Sequence, residues 1–411
     1  MWDKLLQAWR VKEVRNGLFF VLIMMVIFRV AANIPLPGID LLALQRFFEA
    51  NQLLGLLNLF SGGTIRNFSV VALGVAPYIT ASIIFQLLAM IIPRLEEIQK
   101  DGEAGQRRIN QWTRLLTVPL AIIQAFSLIG LMQQSQFQIM RDASPFYLVA
   151  IICTLTAGTL FLMWIGELIS EKKVGNGMSL LIAAGILAEL PSSTSQFLTA
   201  FDQAQMLTLA LYAAIGIVTV LGVVFVTEGQ RNIPVQYARQ TRGQGVALGG
   251  VASSLPLRVN MVGVIPIIFA VSMLLFPTLV AQFVSRARSE WLATAARWIM
   301  TTLQNQTIYG VLYFFLVVGF TYFYTAVVFH PDRIAENLQK QGGFVPGIRP
   351  GRPTSEYLDY IINRITLGGA VFLGAIAVMP IIAQSLTSAT QLALGGTSLL
   401  IVVSVVIECV K

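Results

Sequence analysis

The sequence predicts an all-α polytopic membrane protein with ten transmembrane helices in two inverted, pseudo-symmetric halves of five. Three observations predict it. Ten apolar stretches reach or approach the roughly 20 residues needed to cross a bilayer core of about 30 Å. Only 12% of the 411 residues are charged and 56% are hydrophobic, whereas an ordinary soluble domain carries about 25% charged residues. Lys and Arg also gather in alternate connecting segments, the pattern that sets membrane orientation.

Taken in chain order, Trp2–Arg15 is polar and amphipathic, and the first apolar run, Gly17–Ile34, is long enough to span, which speaks against a cleavable signal. Gln52–Phe60 follows and ends in Ser61-Gly62-Gly63. With roughly eight apolar residues it is too short to cross, and it can dip into the membrane only where protein or water covers its open backbone groups. A half-helix hinged on glycines inside a bundle of full helices is the layout of an element that opens, which points towards a gated pore. Further spans are expected at Asn67–Ile92 (interrupted by Ala76-Pro77), Leu115–Met132, Phe146–Ile169, Gly177–Leu190, Met206–Thr227, Met261–Val284, Ile308–His330, Ile365–Leu386 and Gly396–Val410. Gly177–Leu190 is short, with Glu189 near its end, so it spans only if neighbouring helices shield its ends.

With the N-terminus in the cytoplasm, 21 of the 28 Lys and Arg fall on the cytoplasmic side and six opposite: Arg46, Arg66, Arg141, Arg286, Arg288 and Arg297. Arg29 lies inside the first span. This bias requires an even number of spans with both termini inside. Ten spans divide into five plus five around the basic loop Glu228–Asn260, about 1–190 and 191–411, and an odd number per half inverts the second relative to the first. The sequence has no clear internal identity, so the symmetry comes from span counting.

Several chemistries are disfavoured. His330 is the only histidine, and Cys153 and Cys409 lie within apolar stretches, so no metal site, haem ligation, disulfide framework or His-based catalysis is expected. No Gly-x-x-x-x-Gly-Lys-Ser/Thr phosphate loop is present. All 20 acidic residues fall in loops or at span ends, with Glu167, Glu189, Glu228 and Glu408 nearest to lipid. Coupled transporters keep an ionisable group at mid-membrane, so a secondary transporter of small solutes is the second reading and a structural scaffold subunit the third. Within the spans Thr80, Ser82, Gln86 and Gln124 are polar and uncharged. They serve either as helix–helix hydrogen bonds, at about 0.6 kcal/mol each, or as a polar seam between helices that part.

Glu228–Asn260 and Pro331–Asn363 are long for connections, and such loops are usually functional. In the second, Val345–Pro353 (VPGIRPGRP) reads as a stiff turn with Arg349 at its tip, because proline fixes φ and glycine permits the bend. A solvated positive-inside charge needs no such punctuation on both sides. An arginine held this way suits bidentate capture of carboxylate or phosphate.

Eight motifs carry a family resemblance: Ile34–Asp40 (IPLPGID), Leu59–Gly63 (LFSGG), Ala72–Leu88 (ALGVAPYITASIIFQLL), Asp101–Arg108 (DGEAGQRR), Gly175–Ser179 (GNGMS), Asn260–Pro266 (NMVGVIP), Pro346–Gly351 (PGIRPG) and Gly395–Val403 (GGTSLLIVV). Eight in this order, across essentially the whole chain, identify it as similar to the SecY family, the channel subunits of the bacterial and plastid protein translocon. The resemblance implies two halves around an hourglass pore and a passive protein-conducting channel of the general secretory pathway. It implies a pore ring at Val75, Ile79, Ile182, Ile186, Ile268 and Ile401, all apolar here, and a plug over Leu53, Leu56, Leu57, Phe60, Ser61, Gly62 and Gly63. It also implies a lateral gate with Thr80, Gln124 and Phe276, through which signal peptides of unfolded preproteins pass into membrane lipids. Arg231, Arg239, Arg242, Arg349, Arg352, Arg107 and Arg108 would dock the motor ATPase SecA or the ribosome, and SecE-like and SecG-like small subunits would accompany the chain in a bacterial inner or thylakoid membrane. Two departures stand out. Gln230-Arg231-Asn232 replaces two adjacent basic residues of many relatives, which shifts weight to Arg239 and Arg242, and Lys411 follows the last span directly.

Overall fold

The computed structural model describes residues 11–40, 42–44, 46, 64–65, 67–134, 139, 144–172, 174–199, 206–237, 252–284, 290–387 and 396–410. These form, in chain order, α1 (Lys12–Ala32), α2 (Ala76–Ile91), α3 (Pro93–Lys100), α4 (Glu103–Gln134), α5 (Pro145–Glu171), α6 (Gly177–Thr199), α7 (Met206–Glu228), β1 (Gln230–Tyr237), β2 (Ala252–Arg258), α8 (Ile265–Val284), α9 (Glu290–Gln304), α10 (Gln306–Val328), α11 (Pro331–Lys340), β3 (Gly343–Phe344), α12 (Arg352–Thr387) and α13 (Gly396–Val410). Among the described residues five helices are long and apolar enough to cross a bilayer: α1, α4, α5, α10 and α12. The pair α2–α3 passes the same test as one span bent by 110°. The chain divides into two compact units, one of Met1–Leu207, Ser272–Tyr309 and Val405–Lys411, the other of Thr208–Val271 and Gly310–Ser404.

In the first unit the helix ends are written into the sequence. Ser144 caps α5 by accepting from the Tyr147 amide at 3.4 Å. Asn176 opens α6, its Oδ1 accepting from the amides of Met178 (3.0 Å) and Ser179 (3.3 Å). Such caps satisfy amides that a helix start leaves open. Gly177 lies so close to α5 that a Cβ would stand 1.9 Å from the Gly166 carbonyl oxygen, and its amide donates to Ser170 Oγ at 2.9 Å. Small residues let membrane helices approach backbone to backbone.

Several helices differ in extent from the expected spans: α4 begins at Glu103 rather than Leu115 and α12 at Arg352 rather than Ile365, and two further differences bear on the site. The helix of Asn67–Ile92 begins only at Ala76. Pro77 sits in its first turn, where a missing amide costs nothing. Residues 67–75 form turns, yet Phe68, Ser69, Val71 and Ala72 are fully buried. The backbone there is paired: Leu36 donates to Phe68 O (3.0 Å), Val70 to Ile34 O (3.1 Å) and Ser69 to Thr64 O (3.2 Å). Helix α5 passes so near that a Cβ on Gly158 would lie 2.0 Å from the Val70 carbonyl oxygen. Around the segment Leu36, Phe68, Leu73, Leu128, Met132 and Leu155 belong to one core. Gly177–Leu190 is also longer than expected, since α6 continues through Pro191 to Thr199. A proline is tolerated inside a membrane helix when local adjustments satisfy the freed backbone groups.

In the second unit the described parts of the two large connections are folded together. Strand β1 pairs antiparallel with β2 from Gln230↔Arg258 to Gln236↔Ala252, and with β3 through Gln236↔Phe344 and Tyr237↔Gly343. The sheet order is β2-β1-β3. Its covered face, Ile233, Leu257 and Val345, packs with Leu358, Ile361 and Ile362 of α12. Nearby, Phe269 of α8 meets Phe320 and Tyr324 of α10 edge-to-face, at 5.9 and 5.8 Å between ring centres.

An ion pair joins α4 to α5: Arg114 Nε lies 2.7 Å from Glu167 Oε1. The arginine side chain is 49% exposed but the carboxylate only 21%. The pair therefore falls between exposed pairs, worth roughly 0.2–1 kcal/mol, and buried ones, where losing one partner costs about 3–5 kcal/mol. Arg114→Met is expected to destabilise the detergent-solubilised protein by about 1–3 kcal/mol, and adding Glu167→Gln should recover part of that loss. Thermal unfolding of the two single variants and the double variant tests this; strictly additive losses would mean the pair does not couple the helices.

Candidate functional site

The ring candidates are placed one helix at a time. The Val75 carbonyl accepts from the Ile79 amide at 3.1 Å, so these residues stand one turn apart at the start of α2. They are 3% and 9% exposed. Ile182 and Ile186 stand one turn apart on α6 and are equally buried. Ile268 is in the first turn of α8, behind a knot in which Asn260 Oδ1 accepts from the Gly263 amide (2.9 Å) and Asn260 Nδ2 donates to the Gly263 carbonyl (3.2 Å). Ile401 lies on α13 and, like Ile268, is buried. Six branched apolar side chains are thus withdrawn from water.

Among the described residues the hydrogen bonds of Thr80, Ser82 and Gln86 run within one helix, not between helices as one sequence reading had it. Thr80 Oγ1 donates to the Ala76 carbonyl at 3.0 Å, and Gln86 Nε2 donates to Ser82 Oγ at 3.3 Å, so all three are engaged within α2 itself. Gln124 is half-buried on α4. Phe276 is on α8 immediately before Pro277 of that helix, and its side chain lies outside the described residues. The plug candidates Leu53, Leu56, Leu57, Phe60, Ser61, Gly62 and Gly63 lie outside them too, as do Arg239 and Arg242.

Arg349 stands at the tip of a braced turn. Ile348 donates to the Val345 carbonyl (3.0 Å), and Val345 is anchored in the sheet core. Thr354 Oγ1 donates to the Arg349 carbonyl at 2.8 Å, and Ser355 Oγ donates to Asp332 Oδ1 at 2.5 Å. Gly347 and Gly351 hold φ of +83° and +98° on either side, a conformation that favours glycine. Arg349 itself is exposed and makes no ion pair among the described residues. Arg352 differs, because its Nε is 3.1 Å from Glu356 Oε1 one turn along α12. Arg107 lies 3.8 Å from Glu103, and Arg108 beside it is exposed. Both project from a tight α3–α4 corner in which a Cβ on Gly105 would meet the Ile98 carbonyl oxygen at 1.6 Å. Arg231 is exposed on β1 opposite Leu257, so the sheet puts Arg231 and the Arg349 turn on one folded platform. The alternation of Ile233 and Val235 around Pro234 was the only local hint of that strand.

The comparisons with known proteins agree across the chain. A family model described as SecY matches residues 69–410. A protein named "Protein translocase subunit SecY" from Streptomyces scabiei is 42% identical over 421 residues, covering 98% of this chain and 95% of the relative. Its namesake from Mycobacterium leprae (strain TN) is 42% identical over 433 residues, covering 100% and 96%. Among solved structures, one described as "The structure of a protein conducting channel" superposes with a TM-score of 0.63 at 18% identity, over 95% of this chain and 90% of that one. Another, described as "Sec61 in the Canine ribosome-channel complex from the endoplasmic reticulum", gives 0.60 at 17% identity, over 95% and 90%. At those identities the structural likeness establishes the fold.

The brace under Arg349 can be loosened without touching the arginine. Thr354→Val removes one hydrogen bond, worth about 0.5–1.5 kcal/mol. Hydrogen exchange at the bonded amides of the turn, those of Ile348, residue 354 and Ser355, is expected to quicken roughly two- to tenfold, with β1 and β2 unaffected; unchanged exchange would mean the turn is held by its prolines and glycines alone.

Proposed function

The chain belongs to the SecY family, and from that premise we propose that it forms the passive protein-conducting channel of a Sec translocon. It is a multi-pass integral membrane protein. The observation that carries the reading is the chemistry of the ring positions: all six hold branched apolar side chains, and each is buried. A narrow apolar constriction gates by dewetting. It offers small ions no ligand, and it can yield around an extended polypeptide whatever the side chains passing through.

On this reading ten spans in two halves, about 1–190 and 191–411, surround the pore, and Leu53–Gly63 forms the plug on the extracytoplasmic side. The lateral gate runs along α2 and α4 with Thr80 and Gln124, and Phe276 faces them. The intrahelical bonds of Thr80 and of Ser82–Gln86 support this, since α2 can part from its neighbours without breaking them. Signal segments would leave through the gate into lipid. Both termini face the cytoplasm, in a bacterial inner or thylakoid membrane.

Energy is supplied from outside, and the chain itself is not an enzyme. The cytoplasmic platform receives SecA or the ribosome, with Arg349 as the rigid contact, and Arg231, Arg239, Arg242, Arg352, Arg107 and Arg108 are the other docking candidates. Arg349 suits this role because its backbone is fixed before binding, so little order is lost on contact. SecE-like and SecG-like subunits complete the complex.

Two experiments test the proposal. With a photoreactive residue at Ile79 or at Ile401 and a secretory nascent chain stalled in transit, adducts are expected from both sites; a stalled, inserted chain that gives none from either would overturn the ring. Arg349→Glu is expected to abolish motor-driven translocation into proteoliposomes while the protein still folds and inserts, and translocation at the wild-type rate would remove the docking role.

A further inference from the structure

Helix α9 has two faces of different character. Ala293, Ala296 and Leu303 are buried against the protein. On the other side Trp291 and Trp298, two turns apart, are 72% and 67% exposed, and between them a shallow depression is lined by Glu290, Trp291, Thr294, Ala295 and Trp298. Two tryptophans aligned on one open face are costly in water. The face is also not uniformly apolar, since Thr294 and Ala295 lie between the rings and the charged Glu290 and Arg297 flank them.

We propose that α9 is a membrane-interface anchor whose Trp291 and Trp298 side chains lie in the headgroup layer of the extracytoplasmic leaflet. At 15 residues the helix is about 22 Å long, too short and too polar to cross the bilayer. Indole rings collect where an apolar body can meet hydrocarbon while the N–H meets water, which is the headgroup level. The occupant is further fixed by continuity. Asn305 alone joins α9 to α10, and its side chain caps α10 by accepting from the amides of Thr307 (3.1 Å) and Ile308 (3.4 Å). Helix α10 then presents Val311, Leu312 and Phe315 outwards, the face of a helix in lipid. Helix α8 before it is equally apolar. An amphipathic helix tied by one residue to the end of a lipid-exposed span stands at the membrane surface. The inference goes beyond the channel reading and rests on its span topology.

The test uses the full chain in vesicles of phosphatidylethanolamine and phosphatidylglycerol, with Cys153→Ser and Cys409→Ser as background. Spin labels are attached at Trp291→Cys and Trp298→Cys, at Ile217→Cys on exposed mid-α7 as a hydrocarbon reference, and at Gln341→Cys after α11 as a water reference. Collision rates with oxygen and with a water-soluble nickel chelate, equilibrated on both sides, report depth. Both tryptophan sites are expected to give oxygen-to-nickel ratios between the two references. A ratio equal to that of Gln341→Cys would place the face in water, and one equal to that of Ile217→Cys would place it in the hydrocarbon; either overturns the proposal. Suppressed collision with both probes would mean another protein surface covers the face, and would overturn it as well. Preprotein translocation by the same vesicles is measured in parallel, so a failed channel reading and a failed anchor give different results.

Discussion

A stretch of buried chain that is not helical must find its backbone hydrogen bonds inside the protein, because hydrocarbon offers none. Residues 67–75 meet that requirement by pairing with the chain after α1, through Ser69 opposite Pro35 and the bonds from Leu36 and Val70. Thr64 adds its hydroxyl to the Ala72 carbonyl at 3.3 Å. Phe68 completes the arrangement with φ of +39°. That backbone conformation costs of order 1–3 kcal/mol for a non-glycine residue, and full burial of the ring returns about 1.5–3 kcal/mol. The two nearly cancel, so the turn persists because its surroundings fix it. Val75, and through it the start of α2, takes its place from this knot.

The same requirement explains how polar groups can sit in helices proposed to separate. A hydrogen bond between helices would have to break when they part. Thr80, Ser82 and Gln86 instead bond along α2, and Thr117, Thr156 and Thr321 each return a hydroxyl to a carbonyl of their own helix. Close approach at glycines, as at Gly158, Gly177 and Gly374, is one of the contacts left between elements. Packing of this kind is short-ranged and can be released and re-formed, unlike a network of buried hydrogen bonds.

Much of this was legible in the sequence. Apolar length located the helices, and the glycine–proline punctuation around Arg349 predicted a braced turn that the bonds from Thr354 and Ile348 now account for. What was not legible depended on distant partners. Pro234 stands inside β1 although a proline interrupts the ladder. It is admitted because β3 pairs only with Gln236 and Tyr237, which leaves β1 an edge strand at Pro234. Helix α6 passes Pro191, where local signals suggested an end. Helix α9 carried its apolar residues on two faces, and its burial pattern separates them.

The sheet that joins the two large connections also sets a timetable for biosynthesis. Strands β1 and β2 are complete at Arg258, but β3 and the α12 residues that cover Ile233 and Leu257 lie from Gly343 onwards. At about 5–20 residues per second, the hairpin waits on the order of 4–17 s for its third strand and about 5–21 s for its roof. Through that interval its apolar face is open beside a growing chain that is itself mostly apolar. The early hairpin is therefore the part of this protein most in need of shelter while it is being made, and slow translation between Arg258 and Gly343 would lengthen that exposure.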